Sequence, residues 1–309
     1  MGIIVDQYKK NLVRRYNKEV GIPYYSFKDF EGLIQEAHTF KNSKSTEIHY
    51  YFYYYDDFKK GKIILFCPGI GPGHTSYLRE IEILAKHGYK VLTLDYTGCG
   101  ESGGESLASL NMPTFDIIEL LNLLKLKEEI VVMGHSLGGY TSLNLANIRE
   151  DIKKAVVLSG FVSIKTLMKA SLHSSFITSR ILKYEKKVAP EYFGVDNIEF
   201  LKTTNKKLFV IQSDDDTLVP YKVALKFAED AHNPNVKTLR VTGRKHNPNY
   251  TDAAIKYMSE TFSNYYKLIK EKTIKTDEDK INYFKDISIE KLTEQDMKMF
   301  EEIFNFIDE

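Results

Sequence analysis

Cysteine is scarce in this sequence: Cys67 and Cys99 are the only two among 309 residues, and no C-x-x-C spacing joins them. Two such thiols build neither the four-ligand site of a zinc module nor a disulfide framework, so no metal site is expected. An excess of one charge is also lacking, because 43 Lys and Arg stand against 42 Asp and Glu, a formal net charge of +1. Without surplus cations to neutralise a run of phosphates, no nucleic-acid partner is expected. Long apolar runs are missing too: nothing approaches the roughly 18 residues that would cross a bilayer, so no membrane span is expected. Residues 1–10 (MGIIVDQYKK) lack the charged-then-apolar plan of a signal peptide. These absences lead to the expectation of a soluble, cytoplasmic chain. What is present is an ordinary globular composition, 43% hydrophobic and 28% charged, which can bury a sizeable core.

From residue 62 onward, short β-rich runs alternate with amphipathic helical stretches. The runs lie at 63–67, 91–95, 130–133, 155–158, 208–212 and 238–241. Between them Leu78, Ile81, Leu84 and Ala85 recur at helical spacing, as do Ile117, Leu120, Leu121 and Leu124, and Pro113 stands where a first helical turn tolerates it. This order predicts an α/β fold with a mostly parallel central sheet and helices on both faces. Ahead of it, residues 33–40 and 47–55 read as two further strands. The aromatic run between Ile48 and Tyr55 contains no Lys or Arg, so it reads as a strand and not as a base-stacking surface.

One interval breaks the rhythm. About fifty residues separate the run ending at Leu158 from the one starting at Leu208, more than a single crossover helix needs. The helical, apolar content of that interval predicts a small helical cap. The expected organisation is an N-terminal segment with the first strands (1–60), a core (61–160 and 201–265), a cap insertion (161–200) and a charged C-terminal extension (266–309). The extension reads as a solvated linker and terminal helix.

The chemistry-bearing residues sit at the ends of the predicted strands. Gly134-His135-Ser136-Leu137-Gly138 follows one strand directly and precedes a helical run, the context that a G-x-S-x-G nucleophile elbow requires. A serine in such a strained turn needs small residues two positions to either side, where side chains would collide with the neighbouring strand and helix. Its hydroxyl also needs a base, and the base an orienting acid. Reacting groups in an open parallel sheet gather at the carboxyl ends of strands. His232 precedes the strand at 238–241 and lies at its wrong end, whereas His246 follows it. For the acid, Asp214, Asp215 and Asp216 all follow the run ending at Gln212, and position alone leaves the three open.

The motifs GHSLGG at 134–139, DDDTLVP at 214–220 and GRKHNP at 243–248 occur in the order Ser, Asp, His. Through them residues 62–265 resemble the α/β-hydrolase fold superfamily, nearest to its serine esterase, monoacylglycerol-lipase-like and serine-aminopeptidase-like branches. The resemblance implies Ser136 as nucleophile, Asp216 as orienting acid (the family's D-x-x-V-P form) and His246 as base. Asp214 and Asp215 are then expected to be solvent-facing loop charges. The family's histidine-glycine turn appears as Pro68-Gly69-Ile70-Gly71, with Pro68 replacing the usual histidine. Since the oxyanion donors are backbone N–H groups, expected from Leu137 and Ile70, that replacement leaves them in place. His74 reads as a loop histidine.

Gly98-Cys99-Gly100-Glu101-Ser102-Gly103 also fits the dinucleotide pattern G-x-G-x-x-G, but Gly104 and Pro113 follow with little apolar periodicity between them. Residues 95–102 instead resemble the superfamily's D-x-x-G-x-G-x-S turn. The expected function is hydrolysis of a carboxylic ester or related acyl bond through an acyl-enzyme on Ser136, acting on a small-molecule acyl substrate with no cofactor. The alternatives are an acyltransferase using the same three residues, or a catalytically silent binding protein of the same fold. Leu167, Met168, Ile177, Ile181 and Leu182 give the cap an apolar face, expected either to line the acyl pocket or to pack as ordinary core.

Overall fold

The computed structural model describes residues 2–58 and 61–309. Among them eight strands form one sheet: β1 (Ile34–Lys41), β2 (Glu47–Tyr54), β3 (Lys62–Cys67), β4 (Lys90–Leu94), β5 (Glu129–His135), β6 (Ile152–Leu158), β7 (Lys207–Ser213) and β8 (Val236–Val241). Their spatial order is β1-β2-β4-β3-β5-β6-β7-β8. The β1–β2 and β2–β4 pairs are antiparallel and all the others parallel. The helices among the described residues are α1 (Gly2–Asn11), α2 (Leu78–Lys86), α3 (Met112–Leu124), α4 (Leu137–Ile148), α5 (Ile164–Leu172), α6 (Ser175–Val188), α7 (Asn197–Thr203), α8 (Leu225–Asp230), α9 (Asp252–Lys270), α10 (Asp277–Phe284), α11 (Ile289–Leu292) and α12 (Met297–Asp308).

The near-continuous apolar run of β3 marks a strand covered on both faces, and its side chains alternate between two cores. Ile63, Leu65 and Cys67 join residues of α3, α4, α5 and α6 on one face. Ile64 and Phe66 join Leu78, Ile81 and Leu84 of α2 together with Phe300, Ile303 and Ile307 of α12 on the other. The aromatic run is β2, with Tyr51 and Tyr53 in the second core and Tyr50 and Phe52 in the first.

The C-terminal segment differs from the solvated linker and helix that its charge predicts. In α12, Met299, Phe300, Ile303, Phe304, Phe306 and Ile307 are buried, while Lys298, Glu301 and Glu302 face outward. The charges occupy one side of an amphipathic helix, so net charge says nothing about the other side. The Phe306 ring lies 5.4 Å from that of Phe209 in β7. Lys62 and Lys154 donate from Nζ to the Ile307 carbonyl at 2.7 and 2.9 Å, satisfying one of the orphan acceptors at the helix end.

The interval between β6 and β7 folds as α5, α6 and α7. The N-terminal helix α1 docks against α6, where Tyr8 Oη donates to Glu185 Oε1 at 2.6 Å. Glu185 is fully buried and also accepts from Ser109 Oγ at 2.5 Å and the Leu110 N–H at 3.1 Å. Burial pushes its carboxyl above the usual range even against these donors. No helix among the described residues is long and apolar enough to cross a membrane.

Candidate active site

Strand β5 ends at His135, Ser136 forms the turn and α4 begins at Leu137. Ser136 has φ 57° and ψ −118°, a conformation that non-glycine residues reach only at a cost of about 1–3 kcal/mol. The turn is pinned by the Ser136 N–H, which donates to the Leu158 carbonyl at 2.9 Å, and by the Tyr140 N–H, which donates to the Ser136 carbonyl at 3.1 Å. A Cβ on Gly134 would collide with the Gly138 carbonyl oxygen, and one on Gly138 with the Cys67 carbonyl oxygen. The two glycines are therefore steric necessities of the turn. Leu137 is the first residue of α4, so its N–H is among those a helix leaves without an intrahelical partner, at the positive end of the helix dipole.

The parallel pairing of β3 with β5 places Cys67 opposite Gly134, which brings the loop after β3 beside the turn. A Cβ on Gly69 would lie 3.3 Å from Ser136 Cβ. Ile70 is next in the chain and half-buried.

The loops after β7 and β8 supply the acid and the histidine. Asp216 Oδ2 accepts from His246 Nδ1 at 2.8 Å. Its other oxygen, Oδ1, accepts from the Leu218 and Val219 N–H groups at 2.9 and 3.0 Å, so a carboxylate buried to 4% exposure is fully hydrogen-bonded. With Nδ1 donating to Asp216, Nε2 of a neutral His246 remains an acceptor. The His246 ring lies 4.7 Å from that of His135, the residue before Ser136. Asp216 and His246 are thus joined and Ser136 is next to them in the fold.

Asp214 and Asp215 are exposed as expected, yet both knit the two loops together. Asp214 Oδ2 accepts from Thr242 Oγ1 at 2.9 Å. Asp215 Oδ1 accepts from the Gly243 and Lys245 N–H groups, each at 3.1 Å, and from Ser213 Oγ. Burial works against its charge, but these donors outweigh burial and hold the Asp215 carboxyl below the ordinary carboxylate range. A third brace comes from the C-terminal segment: the Asp296 N–H donates to the Asn249 carbonyl at 2.8 Å, and Arg244 pairs with Asp296 at 3.1 Å.

His74 is buried, not a loop histidine. Its Nδ1 meets Asp95 Oδ1 at 2.8 Å and its ring lies 3.9 Å from that of Tyr51. Asp95 also accepts from the His74 and Glu101 N–H groups at 2.9 Å each, which shapes the turn at 95–102. That turn opens no helix, the next one starting at Met112, so it lacks the element on which a pyrophosphate would rest. Among the described residues, no group of three or more His, Cys, Asp or Glu is placed to hold a metal ion.

Residues 59–233 match the hydrolase family described as serine aminopeptidase, S33. The chain belongs to that family. Its S33-like stretch includes Ser136 and Asp216, with His246 beyond its end. A putative carbamate hydrolase of Agrobacterium fabrum is 31% identical over 113 residues, 36% of this chain and 41% of the relative. An epoxide hydrolase of Caballeronia sordidicola is 35% identical over 99 residues, 31% of this chain and 30% of the relative. The chain therefore spans less than half the length of these two relatives. An esterase from Pyrococcus furiosus superposes with a TM-score of 0.57 over 84% of this chain and 97% of its own, at 19% identity. At that identity the likeness is one of architecture, and the architecture is the α/β-hydrolase fold.

Proposed function

We propose that the protein is a serine hydrolase that cleaves a carboxylic ester or related acyl bond through an acyl-enzyme on Ser136. The observation that carries this reading is the 2.8 Å hydrogen bond from His246 Nδ1 to a buried, fully satisfied Asp216, beside a serine held in a strained strand-to-helix turn. His246 Nε2 takes the proton from Ser136 Oγ as the oxygen attacks the substrate carbonyl. The oxyanion that forms is held by the Leu137 and Ile70 N–H groups. His246 returns the proton to the departing alcohol, then activates water to release the acid. Asp216 fixes the imidazole tautomer and stabilises its charged form throughout.

An apolar cavity of about 480 Å³ lies between α1, α5 and α6, and in this reading it takes the acyl group. Leu167, Met168, Ile177 and Ile181 line it together with Leu218, two residues past Asp216. Its lining carries no charged side chain, so it suits an alkyl or aryl acyl group better than the charged amine of a peptide. A larger cavity of about 650 Å³, between α2, α9 and α11, is lined by Arg79, Lys256 and Glu290 among others; Ser136, Asp216 and His246 line neither cavity, and the apolar one comes nearest the site at Leu218.

The test is fluorophosphonate labelling together with a panel of chromogenic esters of increasing acyl length. Wild type should label and turn over esters, and Ser136→Ala should lose both by about 10⁴-fold or more at an unchanged melting temperature. Turnover like wild type in Ser136→Ala would sink the assignment. Met168→Ala and Ile177→Ala should shift the ranking of acyl lengths; a loss of melting temperature with the ranking unchanged would make them ordinary core.

A further inference from the structure

Three parts of the site come from distant stretches of chain: the loop at Gly69–Ile70, the turn at Ser136 and the loop at His246. Two side chains outside the three roles already given lie between them. Tyr77 Oη is 2.9 Å from His135 Nδ1, and His135 Nε2 is 2.7 Å from the His246 carbonyl oxygen. The Tyr77 oxygen also fills the space that a Cβ on Gly69 would take.

The direction of each bond follows by elimination. A carbonyl oxygen only accepts, so His135 Nε2 carries the proton that faces His246. Burial, then the adjacent His246, push the His135 imidazole down to about 3, which leaves the ring neutral with one lone pair, on Nδ1. Tyr77 must therefore donate to it, and burial followed by Glu80 pushes the phenol well above its usual range, which keeps that proton in place. The polar chain runs one way, from Tyr77 to His135 to the His246 carbonyl.

We propose that Tyr77 and His135 are positioning residues: a bridge, packed against Gly69 at one end and hydrogen-bonded to the His246 carbonyl at the other, that fixes the oxyanion loop and the backbone of His246 at set distances from Ser136. Neither touches the reacting atoms. Their effect is on geometry, in a reaction where a displacement of about 1 Å can remove some 10²-fold in rate. The inference rests on the serine hydrolase reading above.

Tyr77→Phe removes a single oxygen, and His135→Leu removes both polar contacts of the ring. His135→Gln keeps a donor for the His246 carbonyl and an acceptor for Tyr77. On an ester that wild type cleaves, Tyr77→Phe and His135→Leu should each lower kcat by about 10- to 100-fold with KM changed by less than about 3-fold. Fluorophosphonate labelling should slow in proportion. The double variant should be no worse than the poorer single one, because both break the same bridge, and His135→Gln should recover most of kcat. Unchanged kcat in Tyr77→Phe, multiplicative losses in the double variant, or failure of His135→Gln in a folded protein would each overturn the bridge while wild-type labelling still upheld the hydrolase. An unlabelled wild type would overturn both.

Discussion

At the Ser136 turn, Gly134 and Gly138 are required because backbone oxygens already occupy the places of their side chains. In α12, six large apolar side chains do the filling between helix and sheet. The first region is held by what is left out and the second by what is put in, so substitutions in the two should fail differently. Around the turn and its partner loops a change should alter chemistry far more than stability. In α12 it should alter stability and leave the chemistry of each folded molecule intact.

The sharpest separation lies between two adjacent carboxylates. Asp216→Asn should lower kcat by about 10⁴-fold, since it loses the group that orients His246. Asp215→Asn should cost about 10-fold, because Asp215 tethers the Gly243 and Lys245 backbone without reaching the imidazole. Steady-state ester kinetics on both variants check this, and equal losses would mean that the loop geometry, not the carboxylate facing His246, governs the rate. The converse test is Phe300→Ala, expected to remove about 3–5 kcal/mol of stability in denaturant unfolding while kcat per folded molecule stays at the wild-type level. A large fall in kcat there would erase the contrast.

The smallest effect is a pH dependence at Glu80, buried on α2 and contacted by Asn249 Nδ2 at 3.3 Å. Burial raises its carboxyl from 4.5 to about 7. Between those pH values the folded chain holds a proton that the unfolded chain has released, so stability falls as pH rises across the window. Glu80→Gln should gain melting temperature over wild type progressively from about pH 4.5 to 7 and hold that gain above it. His135, depressed from 6.5 to about 3, has the opposite sign: stability falls as pH drops from about 6.5 toward 3. Both proteins share that loss, so it cancels in their difference, and a gain independent of pH would contradict the assignment to Glu80.

The strands, the elbow glycines and the Asp216–His246 pairing were legible in the sequence because each is written in a few adjacent residues at a strand end. Tyr77 and His135 were not, since their partnership spans 58 positions and only the β3–β5 register closes it. His74 was misread for the same reason, its partner Asp95 lying 21 positions away. In the tail, the abundance of Lys and Glu hid the spacing of Met299, Phe300, Ile303, Phe304 and Ile307. That spacing alone would have shown a buried helix face. The docking of α1 onto α6 through Tyr8 and Glu185 left no local mark at all.

The late position of α12 bears on how the protein is made. A ribosome releases the elbow, the acid loop and the His246 loop before Phe300, so every strand of the sheet can pair while the face that α2 and α12 share is covered by α2 alone. During that interval Phe209, whose ring meets Phe306, presents apolar surface to whatever is nearby, the condition under which nascent chains associate with each other or with chaperones. Slowing translation between His246 and Asp296 should therefore lengthen the period in which the new chain is prone to aggregate, before Asp296 has arrived to brace the loop at Arg244 and Asn249.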